Sequence, residues 1–257
     1  MSTPACPFVW YELMTTDAAA ATAFYSQVVG WSAADAGMPG MDYTLLSIGG
    51  SQIAGLMALT QDMRAAGVPS CWVGYVGVAN VDAQAERIVK AGGTLHMPPT
   101  DIPGVGRFAS FADPQGASLC IFTGSSEEQP LQPPVGTPGT VGWHELMALD
   151  GAKAWDFYAE QFGWQKKEAV DMGPMGVYQC FGGADQAFGG MMSKMPEMPV
   201  PAWGYYFNVE AIDAAVERVK AGGGQVINGP MQVPGGSWII NAIDPQGAMF
   251  SLVAEKR

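Results

Sequence analysis

The chain has 257 residues, and its 12 basic against 24 acidic side chains give a net charge of −12. This charge argues against nucleic-acid or anionic-membrane partners, because both need a positive protein surface. No apolar run approaches the roughly 20 residues of a membrane-spanning helix, and the N-terminus lacks the pattern of a secretory signal. The four cysteines form no CxxC pair, so we expect reduced thiols and a cytoplasmic protein.

The first half of the chain is predicted to form two helices among short strands. The segment after Pro7 (FVWYELM) is apolar and aromatic, which is typical of a strand. Asp17 can cap the helix predicted at 18–29, and Gly92 can end a second, amphipathic helix at 82–91. Further strands are predicted at 43–48, 52–59, 71–78, 94–96, 107–112 and 118–122.

The second half repeats the first. Residues 10–31 (WYELMTTDAAAATAFYSQVVGW) return as 143–164 (WHELMALDGAKAWDFYAEQFGW), with 11 of the 22 aligned residues identical. The segment 81–93 returns at 212–223, and the Asp-Pro-Gln-Gly turn at Asp113 returns at Asp244. The repeat therefore predicts helices at 151–162 and 212–221, strands at 141–147, 176–181, 186–192 and 203–209, and further strands from the second helix to the end.

The repeat also predicts the domain organisation. Residues 125–139 are rich in Pro, Gly and Ser and show no apolar period, which is typical of a linker. We therefore expect one domain at 1–124 and a second at 140–257, each large enough to bury its own core. The sequence is compatible with a homodimer and with a monomer in which the duplication supplies an internal pseudo-dimer.

Several features recur in the same order in both halves. Each half has a helix after its first strand, a Phe-Tyr pair on that helix, a Gly-Trp at its end and a closing Asp-Pro-x-Gly hairpin. This ordered set resembles the vicinal oxygen chelate superfamily, which includes glyoxalase I, the bleomycin-resistance proteins and the extradiol dioxygenases. The resemblance covers nearly all of 7–122 and 140–254. It implies an α+β fold, a tandem repeat of two glyoxalase-like domains in which paired βαβββ units form a curved, mostly antiparallel sheet around a cleft.

The resemblance also implies where metal ligands would lie. Catalytic members of the superfamily hold a divalent metal with His and Glu side chains from four strands, and a metal needs three or four such ligands to stay bound. Carried over to this chain, the positions are Trp10, Gly55, Val73 and Cys120 in the first half, and Trp143, Gly190, Gly204 and Ser251 in the second. None of the eight is His or Glu, so no metal cofactor is predicted.

Strand alternation identifies the side chains that we expect to line the cleft. If Leu13 and Leu146 pack under the helices, then Trp10, Glu12 and Met14 face the other way, and so do Trp143, Glu145 and Met147. Two interpretations of the two glutamates stay open. Each Glu either bonds backbone or an adjacent Tyr and fixes the sheet, or it is the polar anchor or general base of a cleft lined with aromatic residues.

Four further residues are candidates for a site. His144 replaces Tyr11 of the first half, and alternation places it on the helix side, where a structural role is favoured. Cys120 occupies an expected ligand position and can also be a small apolar filler. Arg107 could bind a carboxylate in the cleft, and its counterpart in the second half is Trp238. The two clefts are therefore expected to differ.

The leading functional prediction is a protein that binds a small hydrophobic or aromatic molecule without a metal. Its predicted ligand-binding residues are Trp10, Glu12, Met14, Arg107, Cys120, Trp143, Glu145, Met147 and Trp238, with Glu12 and Glu145 as catalytic candidates. The alternative is a lyase, isomerase or dioxygenase of the glyoxalase type, whose nickel, zinc or iron would be held by a displaced set that includes His144, Glu145 and Glu12.

Overall fold

The structure is a computed structural model that describes residues 5–38, 40–126 and 133–257. Residues 127–132 of the predicted linker lie outside the described residues, as do residues 1–4 and 39 of the predicted first domain. Within the described part of the chain, every helix is too short or too polar to cross a membrane.

The first repeat begins with a strand and a helix and then alternates further strands with two more helices. Within the described residues its elements are β1 (Phe8–Thr15), α1 (Ala18–Val28), β2 (Ser32–Asp35), β3 (Tyr43–Ile48), β4 (Ser51–Ala58), α2 (Gln61–Ala65), β5 (Cys71–Gly77), α3 (Val81–Lys90), β6 (Thr94–Ile102), β7 (Gly106–Ala112) and β8 (Ser118–Gly124).

The second repeat follows the same order, with a single 3-10 turn at 173–175 and no counterpart of α2 among the described residues. Its elements are β9 (Val141–Ala148), α4 (Gly151–Phe162), β10 (Gln165–Asp171), β11 (Val177–Gly182), β12 (Ala187–Ser193), β13 (Ala202–Asn208), α5 (Ile212–Ala221), β14 (Gln225–Gln232), β15 (Trp238–Ile243) and β16 (Met249–Ala254).

Each repeat contributes one open sheet, with eight strands in the described residues. The strand orders are β2-β3-β4-β1-β5-β8-β7-β6 and β10-β11-β12-β9-β13-β16-β15-β14. Strands that follow one another directly along the hairpins pair antiparallel. Four pairs with a helix between their strands are parallel: β1 with β4, β5 with β8, β9 with β12, and β13 with β16. The predicted α+β fold, a tandem repeat of βαβββ units with mostly antiparallel sheets, is confirmed.

The chain packs into two compact units that do not coincide with the predicted sequence domains. The α1/α5 unit contains Trp10–Trp72 and Gly204–Arg257, so it joins the first part of repeat one to the last part of repeat two. The α3/α4 unit contains residues 73–126 and Trp143–Trp203. The boundaries 1–124 and 140–257 describe the sequence repeat, and as independent domains they stay a prediction.

The repeated motifs explain how each unit is held together. In the α1/α5 unit the Tyr25 hydroxyl donates to Asp244 Oδ2 at 3.0 Å and accepts from Trp72 Nε1 at 2.9 Å. In the α3/α4 unit Tyr158 donates to Asp113 Oδ2, also at 3.0 Å. Each Tyr is fully buried, and a buried hydroxyl needs such a partner. In each unit, therefore, the Phe-Tyr motif of one repeat and the Asp-Pro-Gln-Gly motif of the other repeat belong to the same core.

Two strands and a short helix were not predicted. The strand β2 (SAAD) is exposed along its length, and β10 (QKKEAVD) is mostly so. Each is the first strand of its sheet and pairs with one neighbour. Such edge strands are ordered by hydrogen bonds to that neighbour, so they carry no apolar alternation. The helix α2 spans five residues, none of them buried, which is too short for a periodic pattern.

Candidate functional site

The first strand of each repeat has one covered face and one partly open face. Leu13 and Leu146 are fully buried, as expected from the alternation. Trp10, Glu12 and Met14 project from the opposite face of β1 and are half-buried, and their counterparts on β9 show the same pattern. This face carries the candidate site.

Three side chains of the first repeat form a hydrogen-bonded chain on this face. Trp10 Nε1 donates to the Tyr43 hydroxyl oxygen at 3.0 Å, and that hydroxyl donates to Glu12 Oε2 at 2.9 Å. Trp10 and Glu12 lie two residues apart on β1, and Tyr43 begins β3. All three belong to the α1/α5 unit. We call this group the first triad.

The second repeat has the same group. Trp143 Nε1 donates to the Tyr178 hydroxyl oxygen at 2.7 Å, and Tyr178 donates to Glu145 Oε1 at 3.0 Å. These residues lie on β9 and β11 in the α3/α4 unit. This second triad matches the first in residue types, hydrogen-bond direction and strand positions. Each Glu accepts from a Tyr, a contact that the structural interpretation of Glu12 and Glu145 expects, and the role of each Glu as a ligand anchor or general base stays a prediction.

A glycine opposite each glutamate makes room for the tyrosine ring. Gly55 on β4 pairs with Glu12, and Gly190 on β12 pairs with Glu145. A Cβ at Gly55 would overlap the ring and hydroxyl of Tyr43, and a Cβ at Gly190 would overlap Tyr178. Any larger residue would therefore displace the ring and break the triad.

Cys71, at the start of β5, lies within the electrostatic reach of the first triad. Burial, together with the smaller effect of the negative charge of Glu12, raises the pKa of its thiol to about 11. The thiol is therefore protonated at neutral pH, which makes it a poor nucleophile and a poor metal ligand.

The residues at the expected ligand positions do not fit a divalent metal. Gly55 and Gly190 offer no side chain, Tyr rings fill the space beside them, and the indoles of Trp10 and Trp143 are not metal-ligating groups. Among residues 5–38, 40–126 and 133–257, no three His, Cys, Asp or Glu side chains gather in a group that could hold a metal ion.

His144 lies on the covered face of β9, inside the α3/α4 unit. Its ring stacks on Phe8 with centroids 3.9 Å apart, and Nδ1 lies 2.6 Å from the Phe188 carbonyl oxygen. Burial lowers the pKa of His144 to about 4, partly offset by that hydrogen bond. His144 and Glu145 are neighbours on a strand and therefore point to opposite faces. The structure does not bring them together as the metal-binding set of the alternative prediction requires.

The other predicted site residues are placed apart from the triads. Arg107 lies on the same face of β7 as the buried Ala109, and it donates to Asp82 of α3 at 2.9 Å and to Asp101 at 2.7 Å. Trp238 lies on the equivalent face of β15, where the guanidinium of Arg257 is 5.0 Å from its ring centroid. Neither side chain lies on the half-buried face that carries the triads.

Cys120 is buried on β8, where it pairs with Ser110 and Tyr75. It alternates with Leu119 and Ile121, which are fully buried. Cys120 therefore lies on the face of its sheet opposite to those apolar side chains, as its predicted ligand-binding role requires.

Sequence reasoning missed the two tyrosines at the centre of the triads. Tyr43 and Tyr178 occupy corresponding strands, but they are offset by two residues relative to the Trp and Glu positions, so an ungapped alignment of the repeats does not pair them. An alignment of the hairpins that allowed a gap would have found them.

A family model matches the chain twice, at residues 8–121 and 140–252, and its description is the glyoxalase/bleomycin resistance protein/dioxygenase superfamily. The protein CFP32 of Mycobacterium bovis is 32% identical over 248 residues, which cover 95% of this chain and 93% of that protein. The anthracycline biosynthesis protein DauV of Streptomyces sp. strain C5 is 33% identical over 264 residues, covering 97% and 93%.

Solved structures share the fold at low sequence identity. The Mn(II)-bound glyoxalase of Novosphingobium aromaticivorans superimposes with a TM-score of 0.68 and 16% identity, over 99% of this chain and 83% of that chain. The 2,3-dioxygenase LapB of Pseudomonas sp. KL28 gives a TM-score of 0.68 and 13% identity, over 100% and 94%. From the two family matches and the full-length relatives, the chain belongs to the glyoxalase/bleomycin resistance protein/dioxygenase superfamily.

Proposed function

We propose that this protein binds a small planar aromatic molecule, with the two triads as its polar anchors and without a metal at the usual position. One observation carries the proposal. The same three side chains, joined by the same two hydrogen bonds, stand on the half-buried face of β1 and of β9.

The direction of the hydrogen bonds favours a ligand that donates a hydrogen. Trp10 donates to Tyr43 and Tyr43 donates to Glu12, so the chain ends on a carboxylate whose position is fixed before a ligand arrives. An ionised carboxylate has two oxygens and can accept several hydrogen bonds at once. A phenolic or amine hydrogen of a ligand can therefore bond the same group, while Trp10 and Met14 offer apolar and polarisable contacts to its ring.

The names of the relatives fit this class of ligand. The Streptomyces relative is named for anthracycline biosynthesis, and anthracyclines are planar fused-ring molecules that carry phenolic hydroxyls. Two triads in one chain would allow up to two such ligands per molecule.

The proposal is tested by calorimetric titration of the protein with 1,8-dihydroxyanthraquinone. We expect saturable binding, and a loss of about tenfold to a hundredfold in affinity at the altered site in Glu12→Gln and in Glu145→Gln, because a hydrogen bond to a charged group is replaced by one to a neutral amide. Glu86→Gln is the matched control, since it removes the same charge from an exposed position on α3.

Two results would contradict the proposal. Wild-type protein that shows no saturable binding to any planar aromatic compound in a panel would remove its basis. Glutamate variants that melt at lower temperature but bind as the wild type does would assign the triads a purely structural role. Metal analysis of protein purified without chelator tests the alternative: stoichiometric nickel, zinc or iron would favour a metal-dependent enzyme.

A further inference from the structure

A row of polar side chains crosses four neighbouring strands of the second repeat, within the α1/α5 unit. Asn228 on β14 pairs with Asn241 on β15, Asn241 pairs with Ser251 on β16, and Ser251 pairs with Tyr206 on β13. The four residues therefore lie side by side in one register. We call them the amide row.

Hydrogen bonds join the amide row from end to end. Asn228 Nδ2 donates to Asn241 Oδ1 at 2.9 Å. Asn241 Nδ2 in turn donates to Ser251 Oγ at 2.8 Å and to the Tyr206 hydroxyl oxygen at 3.1 Å. The Asn241 amide is thus held by three bonds, and it orients both hydroxyls.

The amide row lies on the sheet face opposite to helix α5. Ile240 and Ala242 flank Asn241 in β15 and are fully buried, and Leu252 next to Ser251 is fully buried too. Alternation therefore turns Asn241 and Ser251 away from that core. Along the row, exposure falls from Asn228, which is exposed, through half-buried Asn241 to buried Ser251 and Tyr206.

The fold does not require these amides. In the first repeat the same strand positions, each 131 residues earlier, hold Met97, Ser110, Cys120 and Tyr75, paired in the same register. That row supports its sheet without an Asn. Asn is depleted in strands, and partial burial of an amide is costly unless its hydrogen bonds are made. Two adjacent Asn residues in β14 and β15 therefore need a reason other than sheet formation.

We infer that the amide row is a specificity site that selects aromatic ligands with ring carbonyl oxygens; this inference rests on the proposed function. The Ser251 oxygen accepts from Asn241, so the Ser251 hydrogen points away from that amide, and the exposed Asn228 amide carries a second N–H. Both groups are donors, and a ring carbonyl is the matching acceptor. The first repeat presents Met97 and Cys120 at the corresponding places, so it favours an apolar ring edge.

The test compares two probes that differ in their ring carbonyls, anthraquinone-2-sulfonate and anthracene-2-sulfonate, by calorimetric titration. We expect the wild type to bind the quinone about tenfold more tightly, the effect of one or two neutral hydrogen bonds. The double variant Asn228→Met with Asn241→Ser copies the first repeat, and its affinities for the two probes should become about equal. The reciprocal variant Met97→Asn with Ser110→Asn should gain a preference at the first repeat.

The outcomes separate this inference from the proposed function. If 1,8-dihydroxyanthraquinone binds the wild type but neither probe does, this inference fails and the proposed function stands; if none of the three compounds binds, both fail. If the wild type binds both probes equally, or if the Asn228/Asn241 variant binds with its preference intact, the amide row has no part in selection, although ring binding through the triads stands. If that variant does not fold, judged by thermal melting, the reciprocal variant decides, and an unchanged preference there overturns the inference.

Discussion

The two repeats have the same Trp and Glu residues on one face of their first strand and several different residues on the other face. On the half-buried face, Trp10 and Glu12 are matched by Trp143 and Glu145, with the same hydrogen bonds to a tyrosine. On the covered face, Tyr11 of β1 meets Tyr205 edge to face at 5.4 Å, whereas its counterpart His144 stacks on Phe8 at 3.9 Å.

The two faces differ in how closely the repeats agree. The covered face accepts a phenol in one repeat and an imidazole in the other, provided that the volume is filled and the polar atoms are bonded. The half-buried face keeps the same three residue types and the same two hydrogen bonds in both repeats. The shared binding role proposed above predicts this agreement.

The largest expected effect comes from the buried aspartates of the Asp-Pro-Gln-Gly turns, which both repeats share. Asp113→Ala and Asp244→Ala should each lower the free energy of unfolding by about 3–5 kcal/mol, because a buried Tyr hydroxyl loses its acceptor and two turn N–H groups lose theirs. Urea denaturation measures the change. Asp213→Ala, which removes an exposed partner of Arg257, is the control and should change little. Equal losses in all three variants would contradict this account of the motif.

The next effect comes from a difference between the repeats, His144 against Tyr11. The pKa of His144 is about 4 in the folded protein and about 6.5 when unfolded, so the unfolded chain binds the extra proton first. Stability should therefore fall as the pH drops from 6.5 to 4, by up to about 3 kcal/mol from this residue. His144→Phe should remove that part of the pH dependence in denaturation curves.

His96, exposed on β6, provides the control for the pH experiment. His96→Gln removes an imidazole from this exposed position, and its slope of stability against pH between pH 6.5 and 4 is the reference for His144→Phe. If the slope of His144→Phe equals that of the wild type, then the imidazole of His144 is not held neutral by its contacts with Phe8 and Phe188.

The smallest effect concerns the starts of helices α3 and α5. Asn80 caps α3, with its side chain accepting from the Ala83 amide at 2.9 Å, whereas Ala211 at the start of α5 provides no cap. Both residues have extended backbones, so Asn fits at either place. Ala211→Asn should stabilise the protein by about 1 kcal/mol, and Asn80→Ala should destabilise it by a similar amount. Thermal melting of both variants, compared with Asn80→Ser, checks the symmetry.

The fold could be predicted from the sequence because its signals for strands, helices and helix caps occur in both repeats. Helix α5 was predicted with its observed bounds, and the helix caps Asp17 and Asp150 recur in the two copies. The edge strands β2 and β10 were missed, since their order comes from a neighbouring strand rather than from their own apolar pattern.

For the site, strand alternation identified Trp10 and Glu12, because their positions depend on local geometry alone. Strand alternation could not identify Tyr43. Its hydroxyl bonds Glu12, which lies 31 residues earlier in the chain, and its ring occupies the space beside Gly55 of another strand. The amide row was missed for a similar reason. Asn241 in WIINAI stands out as a polar residue in an apolar strand, but its partners lie on three other strands.

The composition of the compact units has a consequence for synthesis of the chain. Helix α1 leaves the ribosome early, yet the acceptor of its Tyr25 hydroxyl, Asp244, follows 219 residues later. Phe24 and Tyr25 of α1 also pack on Phe250 of β16, so this part of the apolar face of α1 stays uncovered until β16 is made, and such long sequence separation slows folding. A fragment that ends at the linker would hold one part of each unit and the complete core of neither. The α1/α5 unit is thus completed only after β16 has been released.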